Sequence, residues 1–274
     1  MIKNIAPLLG LACLLWACTP AKAPEEAAAS PQPTAADARP VAARSAAPAP
    51  EPAFDIDYLT GRFDPATHPD FAKVDKRYTN RDDFYLHRTA YEAFERMYAA
   101  ALRDNIRLEV LSATRNFNRQ KQIWEAKWRG ERKLEGGEAA PQAYPDPAQR
   151  ALAILRYSSM PGTSRHHWGT DLDLVALNNE FFAQGEGKRI YDWLAANAPG
   201  FGFCQPYSPK GAARPHGYEE EKWHWSYLPL SQPLSTLAAQ QLRNEDIKGF
   251  EGAETAAAID VVNKYVLGIN PACK

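Results

Sequence analysis

Residues 170–175 read T-D-L-D-L-V, a strand pattern with Leu172 and Leu174 facing one way and Asp171 and Asp173 the other. Two carboxylates on one face of a buried strand are costly unless a cation or hydrogen-bond donors compensate them. Any fold of this chain must bring such partners to that face. His166 stands seven residues before Asp173 on the loop entering the strand, and Gly169 between them permits a tight turn. Taken alone, a His–Asp pair at this spacing usually ends as a surface hydrogen bond. A second segment changes its meaning. Residues 221–227, E-K-W-H-W-S-Y, also alternate, with Trp223, Trp225 and Tyr227 on one face and His224 on the other. Two histidines and one carboxylate, His166, Asp173 and His224, form a set that holds a catalytic Zn2+ while leaving a fourth position open. Glu221 then serves as a general base that does not bind the metal. Strict alternation puts Glu221 opposite His224, so this reading requires Glu221 on a loop or bulge before the strand. Asp171, two residues from the proposed ligand, has two open readings, a carboxylate behind the metal shell or the ligand in place of Asp173.

Residues 55–83 are rich in turn formers and are expected to wrap the surface without chemistry of their own. Phe94, Met97, Tyr98, Ala101 and Leu102 recur at helical spacing and predict a core-facing helix over 87–104. Ile106, Leu108 and Val110 alternate with charged residues as in a half-buried strand reaching Ser112. A helix over 119–128, closed by Gly130, follows. Arg115 therefore sits at the mouth between strand and helix, a common place for ligand contacts, although a lone arginine there is more often in a surface ion pair. Residues 130–144 read as an exposed insertion. Asp146 as N-cap with Pro147 at the first helical position starts a helix running to about Arg156, and 158–167 is expected to be loop. A helix over 187–197, with Ile190, Trp193 and Leu194 inward, precedes a strand over 200–204. After Pro233 two helices, 235–243 and 254–266, are expected to pack on the domain.

The chain opens with Lys3 and an apolar run over 5–16, too short for an ordinary spanning helix and consistent with an export signal over 1–17. Leu15-Trp16-Ala17-Cys18 resembles a bacterial lipobox, departing from it at Trp16. The resemblance implies a lipid on Cys18, a membrane anchor worth about 0.8 kcal/mol per buried methylene, and a location facing the periplasm or cell wall. The alternative is an ordinary secretory signal with an incidental cysteine. Residues 18–53 are Ala/Pro-rich and lack the apolar side chains to pack, so they are expected to form a disordered tether. The catalytic domain is then 54–230, with a helical extension over 231–274. Cys204 and Cys273 form either a disulfide or two separate buried thiols. A net charge of -1 without a Lys/Arg run offers no footprint for nucleic acid. His68, His87, His167 and His216 lie outside the metal pattern, His216 on a Pro/Gly loop.

The run S-R-H-H-W-G-T-D-L-D at 164–173 resembles the S-x-H-x-x-G-x-x-x-D signature of the VanY-type D-alanyl-D-alanine carboxypeptidases, and E-K-W-H resembles their E-x-W-H element. Upstream, S-A-T-R-N-F-N-R-Q at 112–120 is similar to the family's S-G-Y-R-S-x-x-x-Q segment. The resemblance implies an α+β fold of the hedgehog/DD-peptidase-like group, with a central antiparallel sheet carrying zinc and helices around it. It assigns His166, Asp173 and His224 to the metal, Glu221 to general base catalysis and Arg115 to the substrate's terminal carboxylate. Ser112, Gln120 and Ser164 are implied substrate contacts. The implied reaction removes the terminal D-amino acid from peptidoglycan stem peptides. An L,D-carboxypeptidase, a D,D-dipeptidase and a non-catalytic zinc-stabilised wall-binding module use the same scaffold. An active-site serine peptidase is disfavoured, since no serine has a lysine three residues later.

Overall fold

The computed structural model describes residues 54–274. The proposed signal, Cys18 and the tether lie outside the described residues. The fold is α+β. In chain order the elements are α1 (Ile56–Leu59), β1 (Phe71–Lys73), β2 (Tyr85–His87), α2 (Arg88–Arg103), β3 (Val110–Ser112), α3 (Phe117–Trp128), α4 (Ala140–Ala143), α5 (Pro147–Ile154), β4 (Asp171–Leu174), α6 (Gly185–Asn197), β5 (Phe203–Cys204), β6 (His224–Tyr227), α7 (Leu228–Gln241) and α8 (Thr255–Ile259).

A four-stranded antiparallel sheet in the order β3-β4-β6-β5 forms the centre, and β1 pairs with β2 beside it. Register decides the site. Asp173 lies opposite both His224 on β6 and Ser112 on β3, and Asp171 lies opposite Ser226. Period-two alternation sends Leu172, Leu174 and Trp225 to the other face. There they join Phe94, Met97 and Tyr98 of α2 and Ile190, Trp193 and Leu194 of α6 in one apolar cluster. A second cluster gathers Trp124 and Trp128 of α3, α5, α7 and α8 with Trp168, Tyr207 and Tyr218.

Several local expectations change. Residues 55–83 are not a surface wrap: Tyr58, Leu59, Phe71, Val74 and Tyr78 are buried. The Tyr58 hydroxyl donates to the Trp168 carbonyl at 2.9 Å and the Trp168 indole donates to Leu59 O at 3.1 Å, clamping the turn that carries His166. Turn-forming composition hid these anchors because they come singly or in pairs between polar residues, too few to make a helix or strand period. Leu102 sits at the edge of α2's apolar stripe and is exposed. Helix α3 begins two residues early because the Asn116 side chain caps it, accepting from Arg119 N. The 130–144 segment is not wholly exposed, since it buries Leu134 and Ala140 and forms α4. Asp146 caps α5 as its spacing predicts, but the helix stops at Ile154. Within 158–167 the chain tightens into a 3-10 turn, Arg165–Trp168. Helix α7 starts at Leu228 and carries Pro233 inside it, with Pro229 in its first turn, where a missing N–H is harmless. The expected final helix breaks at Asp260, where φ is 59°.

Cys204 and Cys273 are bonded, with Cα atoms 5.8 Å apart, and close a loop of 69 residues that holds the C-terminus on β5. Replacing both by serine is expected to lower unfolding stability by about 2–5 kcal/mol, read by denaturant titration, with a larger m-value because the unfolded chain is no longer cross-linked.

Candidate metal centre and substrate cleft

The two metal-facing histidines reach one point from different elements. His166 sits in the 3-10 turn that Gly169 ends in the left-handed region, at φ 72°. A Cβ at Gly169 would also lie 2.4 Å from the Phe71 ring, so only glycine fits. The turn hands the chain directly into β4. His166 Nδ1 donates to Ala113 O at 2.8 Å, leaving Nε2 as the free lone pair. His224 is set the other way round. Its Nε2 donates to Asp171 Oδ1 at 2.8 Å, and Nδ1 faces Asp173.

His166 Nε2 and His224 Nδ1 lie 3.3 and 3.1 Å from Asp173 Oδ1. Ligand atoms about 2.1 Å from a tetrahedral metal are separated by about 3.4 Å, so the set has the right size for zinc. His166 Nε2 and Asp173 Oδ1 are also buried without any hydrogen-bond partner. Such orphans are rare in protein interiors, and a cation between them satisfies both. Asp173, His166 and His224 therefore fit a metal ion, and among the described residues these three ligands converge there.

Charge favours the same occupant. Asp171, Asp173 and Glu221 surround His224, and their pull raises its pKa well above the ordinary histidine value although burial opposes this. Burial, with Arg115 adding to it, pushes His166 the other way. Asp171 has no exposed surface. Burial works against its charge, but Arg165 and His224 hold its pKa well below the carboxylate range. Asp171 is thus not a ligand but the carboxylate that orients one. It accepts from Arg165 Nε at 3.2 Å and Ser226 Oγ at 3.0 Å, and from Thr170.

Glu221 lies on the loop before β6, as its role requires, and the strand begins only at His224. Its N–H donates to Tyr207 O at 2.9 Å and its carbonyl accepts from Gln205 Nε2 at 3.1 Å. This brings Glu221 Oε2 to 3.3 Å from His224 Nδ1. Burial raises the pKa of its carboxyl.

His166, Asp173, His224, Glu221 and Tyr207 line a cleft of about 1020 Å³, with Asp171 behind it. Arg115 enters it from the β3–α3 junction. Its Nη1 donates to Ser112 Oγ at 2.9 Å and lies 3.6 Å from Asp173 Oδ2. Gln120 also faces the cleft, anchored through Nε2 to Ser159 O at 2.8 Å with its Oε1 unpartnered. Ser164 does not reach the cleft: it is buried in the turn beneath His166, and its hydroxyl has no partner. His167 turns away, binding Arg115 O through Nδ1 at 2.5 Å and Gly162 N through Nε2 at 3.0 Å. Burial pushes its pKa down to about 3, so it stays neutral. His216 is exposed and off the cleft.

The sequence reading missed Arg165 and Tyr207. Arg165 is fully buried, bridging Asp171 to Ser226 and Ser235 with its guanidinium 4.7 Å from the Trp168 ring centroid. The unmet charge of Asp171 was its signal, since a buried carboxylate calls for a neighbouring cation. The Tyr207 ring lies 4.7 Å from that of His224 and had no comparable signal. Asp171→Asn keeps the shape of the network but weakens the hold on His224. Metal affinity is expected to fall about 10–100-fold, measured by competition with a chromogenic zinc chelator; an unchanged affinity would remove Asp171 from this role.

The chain is similar to several known proteins. The YodJ protein of Bacillus subtilis is 30% identical over 164 residues, 57% of this chain and 48% of that one, so the chain spans about half the length of that relative. An uncharacterized Haemophilus influenzae protein is 32% identical over 96 residues, 30% of this chain and 67% of that one. Among solved structures, VanYB in complex with D-alanine-D-alanine aligns with a TM-score of 0.44 at 24% identity, covering 65% of this chain and 87% of that one. A VanY D,D-pentapeptidase variant in complex with Zn(II) aligns at 0.42 and 24%, covering 67% and 93%. The family model described as VanY, D-alanyl-D-alanine carboxypeptidase, matches residues 83–230, which contain every ligand and Glu221. By that match the chain belongs to the VanY family of D-alanyl-D-alanine carboxypeptidases.

Proposed function

We propose that this protein is a zinc-dependent carboxypeptidase that removes the terminal D-amino acid from peptidoglycan stem peptides. The observation that carries this reading is the grouping, in one cleft, of three convergent ligand atoms, a buried carboxylate outside the ligand set and a cleft-facing guanidinium. His166, Asp173 and His224 would hold the metal. When bound, zinc supplies Lewis acidity toward the scissile carbonyl and makes water acidic enough to lose a proton near neutral pH. Glu221 takes that proton and returns it to the leaving amine. Asp171, through His224 Nε2, fixes the ring so that Nδ1 faces the cleft.

Arg115 decides where the substrate stops. Its guanidinium, oriented by the Ser112 hydroxyl, pairs with the free carboxylate of a peptide's last residue and so confines cleavage to the chain end. A site that only stabilised structure would close its fourth position and have no use for Glu221. The sequence of residues 1–53 supports an exported lipoprotein tethered to a membrane through Cys18, which would set the domain beside the cell wall.

Glu221→Ala is expected to keep about one zinc per chain, measured by inductively coupled plasma mass spectrometry, while hydrolysis falls by about 10²–10⁴-fold. An active Glu221→Ala enzyme would sink the assigned mechanism. For Arg115→Ala the expected loss is about 10–100-fold on peptides with a free terminal carboxylate and much smaller on C-terminally amidated ones. Equal losses on both would remove the clamp.

A further inference from the structure

Helix α3 lines one wall of the cleft with Gln120, Ile123 and, in its last turn, Lys127. The mechanism above does not use Lys127. Its side chain is 3% exposed, and among the described residues its ammonium makes a hydrogen bond only to Glu135. Burying an ammonium on one partner is expensive, since an amine offers three donors. Burial accordingly pulls its pKa below the ordinary lysine value, with Glu135 opposing the shift.

The two partners are held very differently. Lys127 is fixed by a twelve-residue helix whose Trp124 and Trp128 are packed in the core. Glu135 is 40% exposed and sits on the turn between α3 and α4, where Gly130 and Gly137 both take positive φ. Glu135 also lines the cleft, together with Arg132 and Lys133. The cation is therefore built in, and its anion is the replaceable member. Lys127 and Glu221 line the same cleft.

The span suits a peptide. Arg115 stands two residues before α3 and Lys127 lies ten residues along it from Phe117, about 15 Å of wall at about 1.5 Å per residue. That is about the length of five extended residues. A chain whose last carboxylate rests on Arg115 thus passes Lys127 with a residue upstream of the cleaved bond.

We propose that Lys127 is a specificity-determining residue that receives a second substrate carboxylate, carried upstream of the cleaved bond, and that Glu135 holds this place until the substrate displaces it. The inference rests on reading the cleft as a peptide carboxypeptidase site, so its test reads binding rather than turnover. Calorimetric titration of the zinc-loaded full chain carrying Glu221→Ala, expected to bind peptide without cutting it, would use pentapeptides ending in D-Ala-D-Ala. One glutamate, or its glutamine counterpart, is moved through the upstream positions. At one position the glutamate peptide is expected to bind about tenfold more tightly than the glutamine peptide, the size of one charge-assisted hydrogen bond. Lys127→Met should bring that ratio to near one, Lys127→Arg should keep most of it, and Glu135→Gln should tighten the glutamate peptide by removing its competitor. A ratio that survives Lys127→Met, or no glutamate preference at any position, overturns the proposal. So does an equal loss on both peptides in Lys127→Met, the mark of a purely structural role. A glutamate preference that depends on Lys127, with no hydrolysis by the protein that keeps Glu221, would leave Lys127 in place and fault the carboxypeptidase reading.

Discussion

A carboxylate with no exposed surface, Asp171, is the group on which the centre depends. Left alone in the interior it would not stay charged. It does so because Arg165 and His224 reach it from two directions and Ser226 and Thr170 complete its hydrogen bonds. Arg165 is in turn satisfied by Ser226 and by Ser235 of α7. A metal-facing nitrogen on β6 is thus connected to a C-terminal helix through three side chains. Buried ion pairs offset their desolvation only when every donor and acceptor is met, and here the reward is orientation. His224 has one ring position, and that position aims Nδ1 at Asp173.

The same register that meets the charge also assembles the chemistry. Asp173 lies opposite His224 on one side and Ser112 on the other, so ligand, ligand and the Arg115-orienting hydroxyl stand side by side across three strands. A slip of one residue would send all of them to the apolar face. Strands hold Asp173 and His224, while a turn and loops bring in His166, Glu221 and Arg115 under backbone restraint. Arg115 N donates to His166 O at 3.1 Å, which ties the proposed carboxylate clamp to the turn that carries His166.

Much of this was legible before the fold was seen, for a physical reason. Alternation along 170–175 and 223–227 fixes which side chains share a face, and the carboxylates at 171 and 173 then demand compensation. The requirement that Glu221 precede its strand came from parity alone, and the structure has it there. What stayed hidden was whatever depends on distant partners. Arg165 reads as an ordinary surface cation until Asp171 and Ser235 enclose it. Ser164 matches a motif position yet faces the interior, because the 3-10 turn that follows it rotates its side chain away from the cleft. Tyr58 and Trp168 bind each other's segments across more than a hundred residues, a contact that no local pattern announces.

The proposed reaction is cleavage of the last bond of a peptide bearing a free D-amino acid carboxylate. Mass spectrometry of stem peptides incubated with the zinc-loaded protein reads that reaction without an intermediary. The expected result is loss of a single D-alanine from a pentapeptide ending in D-Ala-D-Ala, with the tetrapeptide left intact and no cleavage after zinc is chelated. A pentapeptide unchanged by the zinc-loaded protein, or shortened by two residues at once, would contradict it.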